Sequence, residues 1–283
     1  MAQLIVNADD FGLTPGVNRA IAELHAAGAL SSATLMACGD AFEDAVRIAQ
    51  AQPTLGVGCH IVLIDGRPTA PASEVRSLLG PHSQTDFHTS LPRFVAALHS
   101  GRIRAEEIEL ETTAQIRHLQ SHGIRVTHVD THKHTHLFPA VAGPLLRAAQ
   151  ACGVPAIRNP FEPAWCSALA GGFVRRTQVA MLRTFENSFR NQPLIASGSV
   201  RTTQGSIGVS ATGMLDAAVV KKLCRTLPEG IWELVTHPGY NDAALAQIKT
   251  RLRATRDIER DALLAYIPHC GSQIISFADL RNR

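Results

Sequence analysis

No two of the six cysteines, Cys38, Cys59, Cys152, Cys166, Cys224 and Cys270, fall at CxxC spacing, and most stand beside small or apolar residues. The pattern reads as reduced core thiols and not as a cysteine metal knuckle. Nowhere does the chain approach the ~18 consecutive apolar residues that a membrane span needs. Its start lacks a basic segment followed by an apolar one, because Asp9 and Asp10 interrupt the single candidate run. The expectation is a cytoplasmic protein with no transmembrane segment. One-sided charge is also missing: 27 basic against 24 acidic residues leave a net +3, and the arginines are scattered among acids. No nucleic-acid stripe results. The most basic stretch holds Arg175, Arg176, Arg183 and Arg190 with Glu186 among them. It reads as a solvated helix face, with an anionic or membrane surface as the alternative. Repeats and low-complexity linkers are absent too, so a single domain is expected over residues 1–283.

What the chain has is enough apolar content, 45% of 283 residues, to bury a full core. The run Leu4 to Ala8 reads as a buried strand. Thr14 then suits an N-cap with Pro15 at the first helical position, and Val17, Ala20, Ile21 and Leu24 recur at helical spacing before Gly28. Strands are expected again at Ala33–Ala37, Leu55–Leu63, Arg125–Asp130, Ala156–Arg158, Ile231–Val235 and Gln273–Phe277. Helical stretches stand between them: Phe42 to Ala49, Ile108 to Leu119, Leu145 to Ala151, Leu215 to Leu223 and Ala244 to Leu264. At least seven strands alternating with helices predict an α/β fold whose parallel sheet closes, or nearly closes, into a barrel. Residues 64–100 and 160–213 break the rhythm, with uncertain helices at 173–185. They read as loop insertions that form lids or substrate walls.

The chemistry-bearing residues fall at strand ends. Asn7-Ala8-Asp9-Asp10-Phe11-Gly12 puts two adjacent carboxylates on a strand-to-helix loop, the edge of an α/β sheet that carries ligands. His60 lies in the apolar segment Gly58–Leu63. Alone, such a histidine is more often a hydrogen-bonded core residue than a ligand. From His128 to His136 every even position is His or Asp: His128, Asp130, His132, His134 and His136. A period of two would put all five on one face of a continuing strand. Residues 131–139 are too polar for a buried strand, so the later histidines are expected to curl across the barrel mouth. A fortuitous histidine-rich loop is the bland alternative. His237 follows the strand Ile231–Val235, and Pro238-Gly239 turns the chain sharply after it.

One carboxylate and two neutral imidazoles leave open positions on a divalent metal, where a water can lose a proton near neutral pH. A carboxylate that does not ligate can take that proton, and an imidazole can protonate the leaving group. Asp9, Asp10, His60, His132 and His237 supply every part for hydrolysis of an amide or ester.

Taken in order, NADDFG, GCHIVL, HVDTHKHTHLFP and THPGY resemble the YdjC-like carbohydrate deacetylases over nearly the whole chain. The likeness implies a distorted TIM-like barrel similar to the polysaccharide deacetylases. It implies Asp10, His60 and His132 as metal ligands, Asp9 as catalytic base, His237 as general acid and Arg158 as the arginine that orients the base. An ion pair that merely closes the barrel is the other reading of Arg158. His128, His134 and His136 become substrate contacts or supports of the ligands, and Asp130 holds a ligand imidazole in its tautomer. The substrate implied is an N-acetylated amino sugar, chitooligosaccharide-like or lipid-linked, and the cofactor one divalent ion. Two imidazoles and a carboxylate suit Zn2+, whereas open watered positions accept Mg2+, with which the family is linked. Oligomeric state is not readable from the sequence, and a homodimer is the guess for a soluble barrel. Hydrolysis of another amide or of a phosphoester, a silent sugar-binding relative, and an aspartate phosphoacceptor module remain as alternatives.

Overall fold

A computed structural model describes residues 2–170 and 172–282; of the domain expected over 1–283, residues 1, 171 and 283 lie outside the described residues. The leading strand, β1 (Ala2–Phe11), is buried from Leu4 onward, as its apolar run requires. Thr14 caps α1 (Pro15–Ala26), its hydroxyl accepting from the Val17 amide at 3.2 Å. The chain then alternates through β2 (Ser32–Leu35), α2 (Phe42–Ala51) and β3 (Gly56–Ile61). Helices α3 (Leu91–His99) and α4 (Ala105–Ser121) lead to β4 (Val129–Thr131), and α5 (Pro139–Ala151) follows.

The second insertion is helical. It holds α6 (Ala164–Ala170), α7 (Phe173–Leu182), α8 (Glu186–Arg190) and α9 (Pro193–Ala196) before β5 (Gly205–Ile207). The chain ends with α10 (Ala217–Thr226), β6 (Gly230–Thr236), α11 (Ala243–Ala246), α12 (Arg256–Tyr266) and β7 (Gln273–Ile274). No helix among the described residues is long and apolar enough to cross a membrane.

Among the described residues β1 to β7 pair only in parallel, in the order β4-β3-β2-β1-β6-β5, and β7 pairs with the first half of β1 below β2; an isolated antiparallel bridge joins Leu79 and Phe87 outside this sheet. The sheet curls, and the gap between its edges is spanned by residues 155–161. There the Arg158 amide donates to Val129 O, and the Ile157 amide to Arg201 O, at 3.0 and 2.9 Å. The result is a distorted TIM-like barrel ringed by helices, whose C-terminal strand ends share one mouth.

Several expected elements are shorter than the sequence pattern suggests. The strand expected over Arg125–Asp130 begins only at Val129, and Ala156–Arg158 contributes isolated bridges in place of a strand. The helix expected over Ala244–Leu264 is two helices, α11 and α12, with residues 247–255 between them. Helix α3 and strand β5 are additions within the insertions, where apolar periodicity is too short to read.

Candidate metal centre

Adjacent residues of a strand point to opposite faces, so Asp9 and Asp10 cannot both face the mouth from a regular β1. A bulge resolves this. Between Ala8 and Phe11, β1 advances three residues while β2 advances only from Ala33 to Leu35. Asp10 absorbs the difference with φ of 63°, a left-handed conformation that aspartate tolerates better than most residues. Both carboxylates are buried, at 2% and 4% exposure.

Parallel pairing sets the next members. His60 of β3 is in register with Asp130 of β4, and the His60 Nδ1 lies 2.8 Å from Asp130 Oδ1. That contact fixes the ring and turns Nε2 toward Asp10 Oδ1, 3.7 Å away. Two residues beyond Asp130, on the same face, His132 brings Nδ1 to 3.6 Å from Asp10 Oδ1 and 3.4 Å from His60 Nε2. The period of two stops there. Lys133 and His134 have φ of 55° and 51° and turn the backbone into a 3-10 segment, so His134 and His136 leave the strand face. His136 Nδ1 instead meets Thr131 Oγ1 at 2.7 Å, and His134 Nδ1 is buried without a partner.

Among the described residues two donor groups could hold a cation, and one fits the first of them, in which Asp10 and His60 are buried and His132 is partly exposed. Asp10, His60 and His132 form a triangle with edges of 3.7, 3.6 and 3.4 Å, whose equidistant point lies about 2.1 Å from each donor, the bond length of Zn2+ or Mg2+ to such atoms. Asp9, His60 and Asp130 also cluster, but Arg158 engages both Asp9 oxygens and Asp130 Oδ2, while Asp130 Oδ1 is held by His60. No vertex of that second group is free.

Arg158 is wholly buried. It grips Asp9 at 2.9 and 2.6 Å, reaches Asp130 Oδ2 at 2.6 Å and donates through Nε to Glu233 Oε1 at 2.7 Å. Burial alone would raise Asp9, and Arg158 outweighs it, holding the carboxyl well below the usual carboxylate range. Burial pushes Glu233 up to about 7 despite the same arginine. His60 is raised to about 9, because Asp130, Asp9 and Asp10 together outweigh the opposing effect of burial. His237, at the end of β6, places Nε2 3.7 Å from Asp9 Oδ2. Burial lowers its imidazole against the pull of Asp9 and Asp10.

His128 stands apart from the triangle. Its ring stacks on Phe277 at 3.8 Å, and its nitrogens meet Thr127 Oγ1 at 2.9 Å and Asn7 Oδ1 at 3.1 Å. Asn7 in turn donates to Asp9 Oδ1 at 3.2 Å. The structure thus brings Asp9, Asp10, His60, Asp130, His132, Arg158 and His237 together, with His128 one residue removed. Sequence reasoning missed Thr34, Glu233, Arg256 and Glu259. Thr34 Oγ1 lies 3.2 Å from both His60 Nδ1 and Asp130 Oδ2. Arg256 pairs with Asp10 Oδ2, and Glu259 Oε1 accepts from the His237 amide at 2.7 Å. An acid inside the apolar run Ile231–Val235 was a readable signal for Glu233. Arg256 and Glu259 sit in a stretch that reads as a charged surface helix.

The family model described as YdjC-like protein matches residues 3–266. The chain belongs to the YdjC-like family. It is 33% identical to a carbohydrate deacetylase of Brevibacillus brevis, with 98% of this chain and 99% of that one covered. Identity to a carbohydrate deacetylase of Mus musculus is 30%, over 99% and 96% of the two chains. Among solved structures, an Enterococcus faecalis protein described as a candidate cellobiose-phosphate cleavage protein superposes with a TM-score of 0.77 at 23% identity, covering 98% of both chains. That likeness supports the fold.

Proposed function

We propose that this YdjC-like protein is a metal-dependent hydrolase that removes the N-acetyl group of an amino sugar and releases acetate. The observation that carries the reading is the Asp10, His60 and His132 triangle beside an Asp9 that Arg158 keeps ionised. The names of its relatives supply the substrate class.

In this reading Asp10 Oδ1, His60 Nε2 and His132 Nδ1 hold one divalent ion, Mg2+ or Zn2+. When bound, such an ion polarises an acetamide carbonyl and acidifies a water. Asp130 and Thr34 keep the His60 ring turned so that Nε2 faces the mouth. Asp9 accepts the proton of the attacking water. A carboxylate held as low as this one takes a proton only from a strongly acidified donor, and Arg158 fixes its direction in exchange for basicity. His237, neutral before substrate binds, is placed to take that proton from Asp9 and deliver it to the departing amine nitrogen. A single domain over 1–283, cytoplasmic and homodimeric, completes the reading; the continuous core from β1 to α12 supports the first of these.

The test is acetate release from short chitooligosaccharides, free N-acetylglucosamine and lipid-linked N-acetyl amino sugars, assayed with Mg2+ and with Zn2+. Acetate from any of these bears the reading out. Phosphate release from sugar phosphates without acetate from any amide would replace it with a phosphoesterase.

A further inference from the structure

Helix α12 begins beside the candidate metal centre, and two residues of its first turn are ionisable, buried and aimed at it. Arg256 is 1% and Glu259 2% exposed. Their three-residue spacing puts both on one face. Arg256 Nη2 donates to Asp10 Oδ2, and its Nη1 reaches the His237 carbonyl at 3.4 Å. Glu259 Oε1 accepts the His237 amide at 2.7 Å. The turn after His237 closes on Arg256, on both its main chain and its side chain. The Gly239 amide meets Arg256 O at 3.3 Å, and a Cβ at Gly239 would stand 3.0 Å from Arg256 Cδ. Burying two ionisable groups is costly unless their contacts compensate. Those contacts go to the candidate metal aspartate and to the backbone of the candidate acid.

We propose that Arg256 and Glu259 form a positioning pair for the reaction, an inference that rests on the deacetylase reading. Arg256 occupies Asp10 Oδ2, so Asp10 offers the ion a single oxygen, Oδ1, in the direction of His60 and His132. Glu259 pins the His237 main chain and thereby sets where Nε2 stands relative to Asp9. One helical turn therefore registers the two sides of the site against each other. Neither residue touches substrate; each acts through a neighbour.

The test uses the full chain and four variants: Arg256→Met, Arg256→Lys, Glu259→Met and Asp10→Asn. For each, the dissociation constants of Zn2+ and Mg2+ are measured by competition with a chromophoric chelator, together with kcat and KM for acetate release. Arg256→Met is expected to weaken ion binding roughly 10- to 100-fold, with part of the loss recovered in Arg256→Lys. Glu259→Met, which removes the acceptor of the His237 amide, is expected to keep ion affinity within about twofold while lowering kcat on the order of 10-fold at unchanged KM. That split is not what a merely structural role produces. Wild-type ion affinity in both folded Arg256 variants overturns the proposal, as does equal loss of affinity in Glu259→Met. Should Arg256→Met fail to fold, unchanged affinity in Arg256→Lys overturns it alone. Ion binding by Asp10→Asn as tight as wild type would instead show that the deacetylase reading of the centre has failed, and this inference with it.

Discussion

The guanidinium of Arg158 holds Asp9 with both terminal nitrogens, at 2.9 and 2.6 Å, while its Nε donates to Glu233 at 2.7 Å. Asp130 completes the set at 2.6 Å, so one buried cation faces three buried carboxyl groups. Arg158→Met strips all three of their partner. Removing one member of a buried ion network typically costs about 3–5 kcal/mol, because charges are left without compensation. Chemical denaturation should show a loss of that order, and a variant as stable as wild type would mean that Arg158 does not compensate the carboxyl groups around it.

Glu233 makes stability depend on pH. Its folded value, about 7, stands above the ordinary 4.5, so the stabilising protonated form is complete below about 4.5 and is lost as pH rises through 7. Glu259, pushed by burial to about 8, adds a further decline. Acid acts in the opposite sense. Burial lowers His128 and His136, so below about 6.5 the unfolded chain binds protons that the folded chain does not, and stability falls. Thermal melts of metal-free protein should peak near neutrality. Glu233→Gln should remove the part of the decline that ends near pH 7 and leave the part, from Glu259, that runs on to about 8. Superimposable curves for variant and wild type would contradict the assignment.

Gly58 is where strand packing admits the His128 ring. A Cβ added there would stand 2.5 Å from Cε1 and 2.6 Å from Nδ1 of His128. The ring cannot retreat, because Phe277 is stacked on it at 3.8 Å. Gly58→Ala should therefore destabilise the fold by about 1–3 kcal/mol, the usual range for overpacking. Calorimetry checks this, and a neutral substitution would imply that the His128 ring has room to move.

Much of this site was legible because its members sit where periodicity and strand ends are strong. The N-cap at Thr14, the inward pair Asp130 and His132, and His237 after an apolar strand all follow from local pattern. The limits were equally physical. That the alternation ends after His132 was readable from the polarity of residues 131–139, but the means, two consecutive left-handed residues at Lys133 and His134, was not, because neither is a glycine that would have announced the turn. The bulge at Asp10 leaves no mark beyond two adjacent acids. Arg256 reaches Asp10 across 246 residues, a separation about which local pattern carries no information.

Ion binding should also be visible as stability. At an ion concentration about 100 times its dissociation constant, the folded state gains roughly 2.7 kcal/mol. Thermal melts with Zn2+ or Mg2+ should shift upward in wild type and stay unshifted in Asp10→Asn. An equal shift in both would place the ion elsewhere.

The most direct measurement is acetate release by metal-stripped protein as the ion is restored stepwise, in wild type and in Asp9→Asn. Activity should rise to a plateau at one ion per chain in wild type. Asp9→Asn should bind the same ion yet lose turnover by about 10²- to 10⁴-fold, the range expected for removing a general base. Full acetate release from chelated protein, or an undiminished rate in Asp9→Asn, would contradict the account at its centre.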